Sequence, residues 1–310
     1  MRSLVSVVGR VSTPETAVVP ALDRGFLFGD SVYEVLWWHR GALVQAPEHF
    51  ARLRESGRRI HMDVPDDDAT WVARVDGLLA EAGATDDDDA YVRLIVTRGA
   101  GPLGLAIGPG LVPTWVLVVA DAHRPTMEQR RAGLRARVAD RLRVSSRALD
   151  PAAKTGNYMN NLLALEEARR EGADDAILLN EAGDVTEATT SNVYVVSGGT
   201  VATPPLEAGI LRGTTHTRVL ALCARHGRPV VERRISAGEL RRADELFVSS
   251  SVRGVLPVVA LDGVPVGTGA VGPETARVIG WFEAAADADA LAAREARRPN
   301  APKGAVAGPR

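Results

Sequence analysis

The chain has 310 residues, with 37 lysines plus arginines against 39 aspartates plus glutamates, for a net charge of -2. This balance gives no basic field for nucleic acid, the single cysteine excludes an internal disulfide or cysteine cluster, and no apolar run approaches the roughly 18 residues of a membrane span. With 45% hydrophobic and 25% charged residues the chain reads as globular and two-domained, and without a signal-like N-terminus it is expected in the cytoplasm.

Residues 4–8 and 31–38 read as strands, the second followed by a turn at Arg40-Gly41. Pro47 opens an amphipathic helix with Phe50, Leu53 and Gly57 on one face. A further helix covers 68–82 and stops at Gly83, before an acidic turn at 85–89. Alternation over 91–97 and an apolar run over 115–120 predict two more strands. The polar stretch 122–133 is expected to link an N-terminal domain, 1–121, to a C-terminal one, 134–287. In the second half, strands are expected at 134–140, 175–179, 192–196, 245–249 and 255–260. Helices are expected at 157–171, 214–226 and 273–287. From 288 to 310 the chain is rich in Ala, Arg, Pro and Gly without apolar periodicity, and is expected to be disordered. Strands and helices mix in both halves, which excludes an all-α or all-β fold.

Gly99, Gly101 and Gly104 spell G-x-G-x-x-G after a strand. A dinucleotide fingerprint needs a helix to begin there, and Pro102, Pro109 and Pro113 forbid one, so this is expected to be a surface loop. The six histidines show no zinc-ligand spacing, so no metal is expected. Cys223 sits mid-helix as a small core residue, and the scattered arginine pairs read as solvated faces.

Only two of the 37 basic residues are lysines, Lys154 and Lys303. An Ala-, Gly- and Arg-rich composition accounts for the bias, but it leaves few positions for amine chemistry. Lys154 stands just ahead of a predicted helix. A cation there opposes the helix dipole, which favours the neutral amine that attacks carbonyls. Glu187 lies at a strand edge beside the polar run Thr189 to Asn192. Gly213-Thr214-Thr215 opens a helix whose free N–H groups suit a phosphate. Ser249, Ser250 and Ser251 end a strand with three hydroxyls. A lysine, a carboxylate and a phosphate cradle together are what pyridoxal phosphate requires.

Over about residues 20–285 the chain resembles the class IV aminotransferases, the fold type IV group of pyridoxal-phosphate enzymes. The resemblance is carried, in order, by DRGFLFGDSVYEV (23–35), EHFARLRES (48–56), VTRG (96–99), KTGNYMNNLLALEEA (154–168), EATTSNVY (187–194), GILRG (209–213) and ELFVSSSVRGVLPV (245–258). It implies an α+β fold with a two-layer α/β N-terminal domain, a barrel-like C-terminal domain and a site between them. It also implies an obligate homodimer in which the loop after Arg98 comes from the partner. By the same resemblance Lys154 binds the cofactor aldehyde covalently and shuttles a proton, and Glu187 pairs with the pyridine nitrogen. Arg52, Thr214, Thr215 and Ser251 hold the phosphate. His216 stands where the family usually has Arg.

Within the family the chain is most similar to the D-amino acid aminotransferases, through Tyr33 and Arg98, which by that likeness grip the substrate carboxylate. The group's usual His two residues beyond Arg98 is Ala100 here, which leaves room for (R)-amines. The expected reaction therefore moves an amino group from a D-amino acid to a 2-oxo acid. Branched-chain L-amino acid aminotransferases, usually Phe-Glu-Gly where this chain reads Tyr33-Glu34-Val35, are an alternative. Aminodeoxychorismate lyases, suggested by SSSVRGVLPV, are another. A cofactor-free binding protein is disfavoured by the intact Lys154 and Glu187.

Overall fold

In the structure, a computed structural model that describes residues 1–297, the strands gather into two sheets. The first half runs β1 (Leu4–Val7), β2 (Arg10–Ser12), α1 (Arg24–Phe28), β3 (Ser31–His39), β4 (Ala42–Leu43), α2 (Ala46–Arg59), α3 (Asp68–Glu81), β5 (Asp89–Thr97) and β6 (Thr114–Asp121). Its strands form one antiparallel sheet in the order β2-β1-β6-β5-β3-β4. Helices α2 and α3 supply its second layer. Phe50 and Leu53 of α2 and Trp71, Val75 and Leu79 of α3 are buried with Val32, Leu36, Val92 and Leu94 of the sheet. The helix-period and strand-period faces thus meet in one core.

The second half runs α4 (Met127–Ala132), β7 (Leu134–Val138), α5 (Met159–Arg170), β8 (Asp175–Leu179), β9 (Val185–Ala188), β10 (Asn192–Ser197), β11 (Thr200–Thr203) and α6 (Thr214–Arg225). It continues through β12 (Val231–Glu232), α7 (Ala237–Leu240), β13 (Glu245–Ser250), β14 (Gly254–Leu261), β15 (Val264–Pro265) and α8 (Pro273–Arg297). The sheet path β10-β13-β14-β7-β8-β9 closes on itself because β9 also pairs with β10, Glu187 opposite Asn192. Closure leaves edges only on the side branches β11-β12 and β15 and makes the expected barrel. It also places Glu187 where the ring shuts.

The structure fills in one expectation and corrects another. The stretch 122–133 carries α4, started by a reciprocal Thr126/Gln129 capping box. Its Arg130 is buried, donating to the Val255 carbonyl at 2.8 Å and to Glu283 at 2.9 Å. The connection is packed structure. The expected disorder from 288 fails as far as Arg297, because α8 continues to that residue. Its buried face runs Val278, Phe282, Ala286, Ala290 at a spacing of four. From Ala286 onward the face is carried by alanine, the strongest helix former but a weak hydrophobic signal. Residues 298–310 of the predicted tail lie outside the described residues. His39 clasps α8 to the first sheet, one ring nitrogen 2.6 Å from Asp89 and the other 2.9 Å from Asp287. No helix of the described residues is long and apolar enough to cross a membrane.

Candidate active site

A cavity of about 460 Å³ opens between the two sheets. Period two along β3 and β5 builds one wall. Tyr33 and Val35 of β3, and Tyr91 and Arg93 of β5, all face it, with Val35 directly opposite Arg93 in the register. The opposite wall is made by the β9–β10 turn, Thr189 to Ser191, by the α6 N-terminus, Gly213 to Thr215, and by Ser249 to Arg253 at the end of β13. Lys154, Arg52 and Glu187 also line it. Of the residues expected at the site, Tyr33, Arg52, Lys154, Glu187, Thr214, Thr215 and Ser251 therefore share one cavity.

Arg98 does not line it. Its guanidinium is spent elsewhere: Nε donates to Asp30 at 2.8 Å, and the two terminal nitrogens donate to the carbonyls of His61 and Ile60 at 2.7 and 2.8 Å. The following loop carries no helix, consistent with its proline content. Gly99, at φ 92°, is required there because a Cβ would stand 1.9 Å from the Val112 carbonyl oxygen.

Lys154 precedes α5 by five residues and is fixed by its backbone. Its N–H donates to Ser56 Oγ at 3.0 Å and its carbonyl accepts from Tyr33 N at 3.1 Å. The amine lies 4.5 Å from the Tyr33 ring centre and donates to the Tyr158 hydroxyl at 3.4 Å. No carboxylate pairs with it among the described residues. It is thus an amine held by aromatic faces and left open to the cavity.

Glu187 is fixed through both carboxylate oxygens. One lies 2.8 Å from Arg143 Nη2, and the other accepts from Leu211 N at 3.0 Å. Burial raises its pKa, against the pull of Arg143 and of the Leu211 N–H. A further cationic N–H brought against this carboxylate favours its ionised form. Arg143 is itself oriented by Asn161 Oδ1 at 3.3 Å.

The anion side of the cavity is assembled from both sheets. Arg52 donates from Nε and Nη2 to the two oxygens of Glu34 at 2.7 and 2.6 Å, and from Nη1 to the Arg212 carbonyl at 3.2 Å. Glu34 is fully buried. Burial would raise its pKa, but Arg52 and His49 hold it down at about 2. Gly213 caps α6, where a Cβ would stand 2.3 Å from Asn192 Oδ1. Asn192 in turn holds the Leu211 carbonyl at 2.9 Å. The free N–H groups of the first turn of α6 and the hydroxyls of Thr214, Thr215 and Ser251 complete an anion cradle. His216, the departure noted in the sequence, is wholly buried. Burial, then Arg212, lowers its pKa to about 4, so it brings no charge. Its Nδ1 is 2.9 Å from the Tyr194 hydroxyl, which is 3.0 Å from Ser249 Oγ.

Sequence reasoning missed Glu34, His49, Arg93, Arg143, Tyr158 and Arg253. Glu34, His49, Tyr158 and Arg253 lie inside the motif stretches but read there as spacing. Arg93 could have been found from its alternation with Tyr91. Arg143 had no signal, since its partner Glu187 is 44 positions away in the chain.

The donor set fits pyridoxal phosphate: an open amine, a buried carboxylate supported by Arg143, and a cradle of guanidinium, helix N–H groups and hydroxyls. Residues 31–261 match the model of the family Amino-transferase class IV. A D-alanine aminotransferase of Bacillus licheniformis is 35% identical over 87% of this chain and 92% of its own. A putative branched-chain-amino-acid aminotransferase of Methanocaldococcus jannaschii is 33% identical over the same shares, 87% and 92%. Among solved structures, a T.th. branched-chain amino acid aminotransferase with pyridoxamine 5'-phosphate superposes with a TM-score of 0.85 at 26% identity. That match covers 92% of this chain and 94% of the other. With fold, cavity and family model in agreement, the chain belongs to the class IV aminotransferases, which depend on pyridoxal phosphate.

Proposed function

We propose that the chain moves the amino group of a D-amino acid to a 2-oxo acid, with Arg93 as the residue that holds the substrate carboxylate. The charge distribution around the cavity carries this reading. Arg52 is paired with Glu34, Arg143 with Glu187 and Arg253 with Asp175. Arg93 lines the cavity with its guanidinium 4.2 Å from the Tyr33 ring centre, and no carboxylate pairs with it among the described residues. A substrate carboxylate supplies the missing partner, with Tyr33 and Tyr91 beside it. Arg93 thus takes the role expected of Arg98. The D-hand is supported by Tyr33 and by the likeness to D-alanine aminotransferases. A branched-chain L-donor is the second reading, supported by the distance of Arg98 from the cavity and by the apolar Val35 and Leu162 in its lining.

Bound pyridoxal phosphate supplies an aldehyde for amines and a ring that accepts the electron pair of the substrate Cα. The residues of the chain do the rest. Lys154 would move the proton at the substrate Cα. Glu187, kept in place by Arg143, holds a proton on the ring nitrogen. Arg52 and the α6 N-terminus would hold the phosphate and so keep the cofactor within reach of Lys154.

With bound cofactor, D-alanine should convert the chromophore to the amine form faster than L-leucine, followed by absorbance in single half-reactions. The reverse order assigns the donor to the branched-chain group, and pyruvate release from aminodeoxychorismate assigns the chain to the lyases. Arg93→Ala should raise KM for D-alanine about 10- to 100-fold, the worth of a charge-assisted hydrogen bond, while KM for a neutral (R)-amine changes little. Equal changes would mean that Arg93 does not touch the carboxylate. We also infer a homodimer, supported by exposed apolar side chains on α1 and on the 99–113 loop: Phe26, Leu103, Leu105 and Ile107. Light scattering should give twice the chain mass, and a monomer at micromolar concentration would reject the dimer.

A further inference from the structure

Arg52 reaches the cavity from the first sheet's helix and Thr214 from the barrel's, yet the two are joined by a buried chain of polar contacts. His49 Nδ1 lies 2.7 Å from Glu34 Oε2, the oxygen that also accepts from Arg52 Nη2, and His49 Nε2 lies 3.0 Å from Thr214 Oγ1. Glu34 and His49 are each at most 1% exposed, so the partners of His49 are Glu34 and Thr214, and Thr214 also borders the cavity.

The protons in this chain can be placed by elimination. An ionised Glu34 only accepts, so His49 Nδ1 carries a hydrogen. Burial lowers the pKa of His49, against the attraction of Glu34, which favours the neutral imidazole in the free protein. Its Nε2 is then bare, and Thr214 must donate its one hydroxyl hydrogen to it. In that state Thr214 offers only lone pairs to an anion in the cavity. A proton on Nε2 reverses the bond. Imidazolium donates at both nitrogens, Thr214 accepts from it, and the hydroxyl hydrogen is released toward the cavity. The charged groups acting on His49 are Glu34 on β3, Arg52 on its own helix and Lys154 ahead of α5; from α6 the contact is the uncharged Thr214. Arg52 and Lys154 oppose the added proton, and a phosphate dianion in the cradle favours it.

We propose that His49 is a positioning residue of the phosphate site, setting the direction of the Thr214 hydroxyl, and that it takes up a proton when a phosphorylated pyridine binds. The proposal rests on the cradle of Arg52 and the α6 N-terminus described above. By linkage the proton and the phosphate strengthen each other's binding.

The test uses the cofactor-free protein and 4'-deoxypyridoxine 5'-phosphate, which keeps ring and phosphate but has no aldehyde for Lys154. Calorimetric titration in two buffers of different ionisation enthalpy gives the protons taken up per ligand. The wild type should take up more than His49→Asn, which keeps a donor for Glu34 but does not titrate. Between pH 6 and 9 the wild-type affinity should fall more steeply than that of the variant. Near pH 7 His49→Asn should bind about tenfold more weakly, as expected for one hydrogen bond to a charged group. Thr214→Val, nearly isosteric, should weaken binding and reduce proton uptake. Should His49→Asn fail to fold, reduced uptake in Thr214→Val still supports the proposal. Equal uptake in the wild type and the folded variants overturns it while leaving the cradle intact. A wild type that binds no 4'-deoxypyridoxine 5'-phosphate overturns the cradle as well.

Discussion

Lys154→Ala should abolish transamination, lowering kcat by at least about 10⁴-fold, the upper end of what one proton-transferring group contributes. Lys154→Arg should be equally inactive, although it keeps charge and length, because a guanidinium stays protonated and is no nucleophile. Both variants should fold. The backbone of residue 154 is held by Ser56 and Tyr33 through its N–H and carbonyl, and neither contact involves the side chain. Borohydride treatment of the wild type with cofactor should attach a pyridoxyl group to the peptide containing Lys154, and neither variant should be labelled. Label on the Lys154→Ala protein, or more than about a hundredth of wild-type activity, would reject Lys154 as the reacting amine.

Glu187→Gln should lower kcat by about 10²- to 10³-fold, the scale of losing one preorganised electrostatic contact to developing charge. A neutral amide does not hold a proton on the ring nitrogen. It also places an N–H₂ against either Arg143 or the Leu211 N–H, so one buried donor loses its acceptor. Arg143→Ala tests the same carboxylate from behind. Burial already raises the pKa of Glu187 and Arg143 opposes the rise. Without Arg143 the carboxyl keeps its proton to higher pH. Because the proposed role of Glu187 requires its ionised form, the acid limb of kcat should move to higher pH, with the largest loss on the acid side. A variant that is slower at every pH by the same factor would assign Arg143 a purely structural part.

The local parts of this protein were legible in the chain. The strand and helix periods placed nearly every long element, and the ordered motifs named the lysine, the carboxylate and the cradle. Even the arginine bias was informative, since it left Lys154 as the one lysine in patterned sequence. What could not be read were relations between distant segments. Arg98 and Arg93 lie five positions apart on one strand and its end, and in the sequence only Arg98 stood out as a carboxylate grip. Alternation along β5 turns Arg93 to the cavity, while Asp30 and the carbonyls at 60 and 61 bind Arg98 elsewhere. The final turns of α8 were missed because an alanine face acquires meaning only when a partner surface buries it. Arg143 against Glu187, and His49 between Glu34 and Thr214, depend on how the barrel closes and how it meets the first sheet. Sequence by itself determined which reactive groups this protein possesses, because side-chain chemistry is local. Tertiary structure alone decided which of them are charged, paired or open, because burial and partnership are properties of the packed chain.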